Sequence, residues 1–352
     1  MGEKRQREGA KELHLETGCE DHPEHLQGGG GIPEIRKHYF LDEYCIIAAE
    51  RKKRPSDFKV AKPELADSKT CPFCPGNEEM TPPADAVYTD RGVLADGSER
   101  VRNWRTRVFP NLFAAMVPKP TPPTTEWIAL PGHGFHEVIV DSPEHGIGPA
   151  DFSRDQLELI LEVYRDRYSH YRRKHGVSYI SIFKNWGDAA GASMSHTHSQ
   201  IIAVPIVPPL IKRETTALSS ASFCIYCNIA ERETSSSRLI ASNDSWILIA
   251  PFYSIAPYET WILPKGHISD LKAMDEDQKR DLGQILGDAL RRLKSLLDDP
   301  PFNYMVFQLP TGYHLNIRIQ PALTKIAGFE RSTGVYINPV PPEQAASELR
   351  MA

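Results

Sequence analysis

The 352-residue sequence predicts an α+β fold made of two copies of one unit. Two observations carry this. A C-x-x-C pair occurs twice, at Cys71/Cys74 and at Cys224/Cys227. Each pair is followed by the same order of features: a strand ending in a turn with a histidine, a helix, a second strand, and a His-x-(His/Asn)-x-(Gln/Arg) segment. Those last segments are His196-Thr-His198-Ser-Gln200 and His314-Leu-Asn316-Ile-Arg318. Agreement in order across so many features signals an internal duplication. We divide the chain into a tail over 1–31, a first unit over 32–210, a second unit over 211–345 and a short tail over 346–352.

In chain order, residues 1–31 are charged, poor in aromatics and end in four glycines, which predicts disorder. The apolar pattern from Ile35 to Ala48 predicts a hairpin. A basic cluster, Arg51 to Arg54, follows; such a cluster is usually a solvated turn, though it could reach a polyphosphate. Cys71-Pro-Phe-Cys74 predicts a tight knuckle. Glu137 to Val140 reads as a strand leading to a turn at His145. Ser153 and Gln156 have capping-box spacing, and Leu157, Ile160, Leu161, Tyr164, Tyr168 and Tyr171 recur at helical spacing up to a stop at Gly176. Val177 to Phe183 predicts a buried strand, and 196–205 an extended segment. In the second unit, strands are expected at Trp246–Ala250, Tyr258–Leu263 and Phe302–Phe307. A helix is expected from Asp275 to Leu297, closed by Asp298-Asp-Pro-Pro301.

Composition excludes several classes. The 41 basic and 46 acidic residues leave a charge of −5, so no global field attracts nucleic acid or anionic lipid. We expect no nucleic-acid or membrane partner, because no apolar run approaches spanning length and the N-terminus lacks a signal-peptide core. A cytoplasmic location is the default.

The C-x-x-C pairs in a chain of this size read as metal sites before disulfides. The repeat selects the remaining ligands: Cys71, Cys74, His145 and His196 in the first unit, and Cys224, Cys227, His267 and His314 in the second. Both sets are Cys2His2, the composition of a closed structural zinc site. His133 and His136 compete with His145, His136 less well because it falls within a strand. A redox role is disfavoured, because nothing places either pair at the start of a helix after a strand.

The two units differ where chemistry would sit. The first has a small-residue loop, Gly191-Ala-Ser-Met-Ser195, before a second histidine, His198; the second has Asn316 in that place and no such loop. Alternation in an extended segment puts His196, His198 and Gln200 on one face. With His196 on a metal, His198 is left as a nucleophile able to attack a nucleotide α-phosphorus. Gln200, Ser193, Ser195 and loop N–H groups could hold the phosphate oxygens. The alternatives are a surface histidine or an extra metal ligand.

Asn185, Gly191 to Ser195 and His196-Thr-His198-Ser-Gln200 resemble the active-site signature of the galactose-1-phosphate uridylyltransferases, a branch of the histidine-triad superfamily. The resemblance covers about residues 33–345 and includes Cys71-Pro-Phe-Cys74, Val108-Phe-Pro-Asn-Leu112 and Gly328-Phe-Glu330. It implies duplicated histidine-triad-like units with helices packed on an antiparallel sheet, and a nucleotidylated His198. It also implies that Lys53, Arg54, Asn111, Asn185, Ser193, Ser195 and Gln200 line the nucleotide and phosphate pocket. Gly328, Phe329 and Glu330 would reach the site, often across a homodimer interface. Thr197 between the histidines, Met194-Ser195 before them and Asn316 depart from the best-known members and are closer to the plant ADP-glucose phosphorylase branch.

The leading expectation is therefore a nucleotidyltransferase of galactose metabolism that takes UDP-glucose and a hexose 1-phosphate through a nucleotidyl-histidine. ADP-glucose phosphorylase is the nearest alternative and a hydrolase a third. A non-catalytic zinc-stapled nucleotide-binding module belongs to a different class. The asymmetry of the repeat argues against it, since a scaffold has no use for a free histidine in one unit only.

Overall fold

A computed structural model describes residues 32–53, 67–122 and 128–352. The expected N-terminal tail and Arg54 lie outside the described residues, as does the side chain of Lys53. The chain runs β1 (Glu34–Lys37), β2 (Tyr44–Ile47), β3 (Ala86–Thr89), β4 (Gly92–Leu94), β5 (Thr106–Pro110), β6 (Phe135–Val140), α1 (Arg154–Arg172), β7 (Tyr179–Trp186), β8 (His198–Val204), α2 (Pro209–Ser219), α3 (Ile225–Thr234), β9 (Leu239–Ser242), β10 (Trp246–Ile249), β11 (Thr260–Pro264), α4 (Glu276–Leu297), β12 (Phe302–Phe307), β13 (Asn316–Pro321), α5 (Gly328–Thr333), β14 (Tyr336–Asn338) and α6 (Pro342–Met351).

One antiparallel sheet of eleven strands holds both units, in the order β4-β3-β5-β6-β8-β7-β12-β13-β11-β10-β9. The order is symmetric about the β7–β12 junction. On one side stand β6-β8-β7 and on the other β11-β13-β12, with α1 and α4 inserted at the same point of each unit. The α+β class and the duplication both stand. A smaller sheet, β1-β2-β14, contains the expected hairpin, with β14 added parallel to β2.

The helices α1 and α4 cover one face of the large sheet. Their apolar sides meet Ile139, Ile182, Ile201, Val306 and Ile317 in the main core. They also approach each other closely: a Cβ on Gly287 of α4 would lie 2.6 Å from Leu157 Cδ1 of α1, so only glycine fits without repacking. Ser153 caps α1 by accepting from the Gln156 N–H. The reciprocal half of the box does not form, because the Gln156 amide donates instead to the Asp141 carbonyl. The helix also ends at Arg172, ahead of the expected stop; Gly176, at φ +79°, shapes the turn before β7. In α4 the full box forms between Asp275 and Gln278.

Four helices among the described residues were not foreseen, the short α5 before β14 being one of them. α2 and α3 connect the units, and α6 occupies most of the stretch expected as a tail, burying Ala345, Ala346 and Leu349. The second C-x-x-C also departs from expectation: Cys224 is the N-cap of α3 and Cys227 sits in its first turn, so this pair does stand at a helix start, though after a helix rather than a strand.

Candidate active site and metal centres

The sheet's other face carries the candidate site residues of β8. On β8, Ile201 and Ala203 point into the main core, so His198 and Gln200 stand on the opposite face. There they meet Val138 and Val140 of β6, to which they are paired in register. A small core of Val87, Trp104, Phe109, Val138 and Val140 lies on this side, and Phe73 of the first C-x-x-C packs against it. Its ring stands edge-on to His198, 5.4 Å away, and 6.1 Å from His196.

The structure brings Cys71, Cys74, His145 and His196 together, with one ligand atom from each within 4.8 Å of all the others. The Cys74 sulfur lies 3.1 Å from His145 Nδ1 and 3.6 Å from His196 Nδ1; the Cys71 sulfur is 3.6 Å from the same His196 nitrogen. The other ring nitrogen of His196 donates to the Ser142 carbonyl at 2.8 Å, which leaves Nδ1 with its lone pair turned to the sulfurs. Neither competitor for the fourth place joins the cluster. His133 bonds the carbonyls of Pro118 and His175, and His136 bonds Gln200.

Cys224, Cys227, His267 and His314 form the second cluster, again with all ligand atoms within 4.8 Å. Here His314 uses Nδ1 to donate to the Leu315 carbonyl, while its buried Nε2 has no hydrogen-bond partner. An orphaned imidazole nitrogen beside two thiols is what a missing cation leaves behind. Burial, with the neighbouring cysteine, pushes the Cys74 and Cys227 thiols each up to about 12, so each of these two gives up its proton only to a cation. Both donor sets could hold a metal ion. The first cluster is largely buried; in the second, Cys224 and Cys227 are half-buried, His267 is exposed and His314 is buried.

His198 is buried, and its Nδ1 donates to the His196 carbonyl at 2.9 Å. The lone pair is therefore on Nε2, which has no hydrogen-bond partner among the described residues. Burial, reinforced by the nearby Lys184 ammonium, lowers the pKa of His198 below the ordinary 6.5, so the ring is neutral at neutral pH. Lys184 itself is fully buried. It is ion-paired with Asp141 and donates to the His198 carbonyl at 3.1 Å, fixing the backbone behind the imidazole.

Other expected site residues are placed with less uniform result. Asn185 on β7 accepts from Asn303 of β12 at 2.8 Å and reaches the Gly191 carbonyl, so it ties the small-residue loop to the second unit. Ser193 is exposed on that loop and Ser195 is half-buried just before His196. Asn111 follows β5, and its side-chain nitrogen lies 3.2 Å from His136 Nε2. Gly328, Phe329 and Glu330 open α5, and the hydrogen bonds of Phe329 and Glu330 stay within that helix and its cap. None reaches His198 among the described residues.

Three contacts at the site escaped the sequence reading: Lys184 behind His198, Phe73 against it, and His136 on Gln200. The last two join segments far apart in the chain; Lys184 is nearer, on the strand next to that of His198, and its charge beside an apolar run offered a signal.

Comparison with known proteins agrees with this geometry. The family model described as galactose-1-phosphate uridyl transferase, N-terminal domain, matches residues 30–208, and one described as a domain of unknown function (DUF4921) matches 151–351. The chain is 33% identical to an ADP-glucose phosphorylase of Arabidopsis thaliana, over 93% of this chain and 98% of that protein. It is 28% identical to a galactose-1-phosphate uridylyltransferase of Thermotoga maritima, over 90% of this chain and 98% of the other. Among solved structures, the Arabidopsis ADP-glucose phosphorylase with bound ADP-glucose superposes with a TM-score of 0.77 at 31% identity, covering 91% of this chain and 99% of that one. A uridylyltransferase superposes with a TM-score of 0.71 at 27% identity, covering 90% and 97%. The chain belongs to the galactose-1-phosphate uridylyltransferase family and is a nucleotidyltransferase.

Proposed function

We propose that the protein transfers an adenylyl group from ADP-glucose to phosphate through a covalent adduct on His198. The observation that carries the covalent step is the His198 Nδ1–H bond to the His196 carbonyl, which leaves the lone pair on Nε2, without a hydrogen-bond partner among the described residues, as the nucleophile. Nε2 attacks the α-phosphorus, a P–N bond forms, and the bond to the bridging oxygen breaks to release glucose 1-phosphate. A phosphate oxygen then attacks the same phosphorus, the P–N bond breaks, and ADP leaves with His198 restored. Gln200, Ser193, Ser195 and the loop N–H groups would hold the α-phosphate oxygens, and Asn111 and Asn185 the rest of the nucleotide.

Adenosine as the base is supported by the relative at 33% identity and the superposition at 0.77, each spanning nearly the whole chain. The second reading, UDP-glucose with a hexose 1-phosphate, is supported by the family model over 30–208 and by the Thermotoga relative. Zinc at both clusters goes with either reading, on the strength of the two Cys2His2 donor sets. It would clamp the knuckles to the strands that carry His198 and its counterpart. A homodimer is supported by the exposed Phe329, on a helix whose hydrogen bonds among the described residues stay within 326–335, and a cytoplasmic setting by the free thiols of the five described cysteines.

Intact-protein mass after brief incubation with ADP-glucose, and separately with UDP-glucose, tests the reading. An AMP-sized adduct absent from His198→Ala is expected. A UMP-sized adduct alone would move the proposal to the uridylyl reaction, and no adduct with either donor would remove the covalent mechanism.

A further inference from the structure

We infer that His136 is a positioning residue that locks the Gln200 side chain with its amide N–H2 turned towards the phosphate at His198. The inference rests on the proposed nucleotidyl transfer and adds a residue to it. His136 Nδ1 lies 3.1 Å from the Ala115 backbone nitrogen, and a backbone N–H can only donate. Nδ1 must therefore be the unprotonated nitrogen, and Nε2 carries the hydrogen. That Nε2–H lies 2.8 Å from Gln200 and can be satisfied only by an acceptor, so the Gln200 oxygen faces it. The Asn111 side-chain nitrogen lies 3.2 Å from the same Nε2 but is itself a donor and cannot take its hydrogen, so the shorter contact to Gln200 is the one that the Nε2–H makes. With its oxygen occupied, Gln200 has only N–H donors left to offer, and those have no partner among the described residues.

Strand geometry puts this pair beside the nucleophile. His136, Val138 and Val140 alternate on one face of β6, opposite Ile202, Gln200 and His198 of β8. His136 thus reaches Gln200 along the diagonal, while His198 is the next same-face residue on the far side of Gln200. Asn111 tightens the arrangement from below: its backbone N–H donates to the His136 carbonyl at 2.8 Å, and its side-chain oxygen accepts from Phe113. His136 is buried, which lowers its pKa and keeps the single-proton tautomer that the geometry needs.

The other unit supplies an internal control. Trp261 pairs with Arg318 as Val138 pairs with Gln200, so the residue two before Trp261, Glu259, stands in the place of His136. Glu259 accepts from the Trp261 indole and the Gln320 amide, while Arg318, in the place of Gln200, bonds Asn316, Glu214 and Tyr226 instead. The unit that lacks the nucleophile lacks both members of the pair.

The test is the single-turnover rate of adduct formation on His198 from ADP-glucose or UDP-glucose in the full chain. His136→Ala should slow adduct formation by roughly tenfold or more, with little change in the donor concentration at half-maximal rate, since a misaimed donor costs the transition state more than binding. H136Q places an amide N–H near the original Nε2 and should restore most of the rate. H136A/Q200A should be no slower than Q200A, because His136 acts through Gln200. A wild-type rate in H136A, losses that multiply in the double variant, or H136Q as slow as H136A would each overturn the inference while leaving the covalent mechanism intact. A wild-type protein that forms no adduct with either donor would take down the proposed reaction itself, and this inference with it.

Discussion

His198 Nδ1 donates to the backbone carbonyl of His196 at 2.9 Å, and in the other unit the Asn316 side-chain nitrogen donates to the carbonyl of His314 at 3.0 Å. The two contacts are equivalent in the duplicated sheet. An asparagine amide reproduces the Nδ1–H of histidine but has nothing in place of Nε2. The second unit has therefore kept the local hydrogen bond that shapes the strand entry but lacks the ring nitrogen that we propose as the nucleophile.

This relationship makes His198→Asn a sharper test than alanine. The amide should keep the bond to the His196 carbonyl, so the variant should melt at the wild-type temperature and form no adduct. His198→Ala should also form no adduct but lose the bond, at a cost of about 1 kcal/mol. Thermal melts read beside intact-mass adduct assays check this; equal Tm losses in both variants would show that the asparagine does not take the histidine's hydrogen bond.

The two metal clusters should empty in order. Cys71, Cys74 and His196 are buried, while Cys224 and Cys227 are half-exposed and His267 is exposed. A chelator should therefore remove the second ion first. Adduct formation on His198 should survive loss of that equivalent and fail with loss of the first, because only the first cluster contains the residue whose carbonyl holds the His198 tautomer. Metal content measured in step with adduct yield gives the answer, and yield that falls in proportion to the first equivalent lost would reverse the assignment.

Arg318, in the place of Gln200, is held by Glu214 of α2 at 2.7 Å and by Tyr226 at 2.8 Å, between the rings of Trp261 and Phe307. The guanidinium and the carboxylate are both buried. Removing one partner strands the other charge, so Glu214→Gln or Arg318→Met should each cost roughly 3–5 kcal/mol. E214Q/R318M should cost less than the sum of the two. Urea denaturation of the four proteins measures the coupling; simple additivity would mean that the pair is not what fills the silent site.

Much of this architecture was legible because duplication wrote it twice. The matching turn at His267 points to His145 over His133, the strand position of His136 sets it aside, and it is His145 that joins the cluster. Periodicity revealed α1 and α4, whose buried sides face the sheet. It did not reveal α2, α3, α5 or α6: their sequences are short and mixed, and tertiary packing rather than propensity holds such helices. The face shared by His198 and Gln200 followed from alternation. What lies opposite them did not, because the β6–β8 register joins residues more than fifty positions apart. His136 was weighed as a metal ligand for that reason, when the structure gives its ring to an amide.

Acid should destabilise the protein through His38. Its ring is buried beside Arg318's site, and Nδ1 accepts backbone N–H groups of Phe40 and Leu41 at 3.3 and 3.1 Å. Burial first, then the Arg318 charge, lowers its pKa from 6.5 to about 4. The folded state therefore refuses a proton that the unfolded chain accepts. The stabilisation is whole above pH 6.5, erodes as pH falls, and is gone once pH passes through about 4; at pH 5 the loss amounts to about 2 kcal/mol. Other buried histidines add to the total, so the comparison must isolate this one. His38→Asn keeps an acceptor for the two N–H groups and removes the titration. Stability from urea denaturation at pH 7 and pH 5 should fall further in the wild type than in H38N, by about that amount. Parallel falls would mean that His38 takes up its proton in the folded protein as readily as in the unfolded one, and that the charge of Arg318 is screened from it.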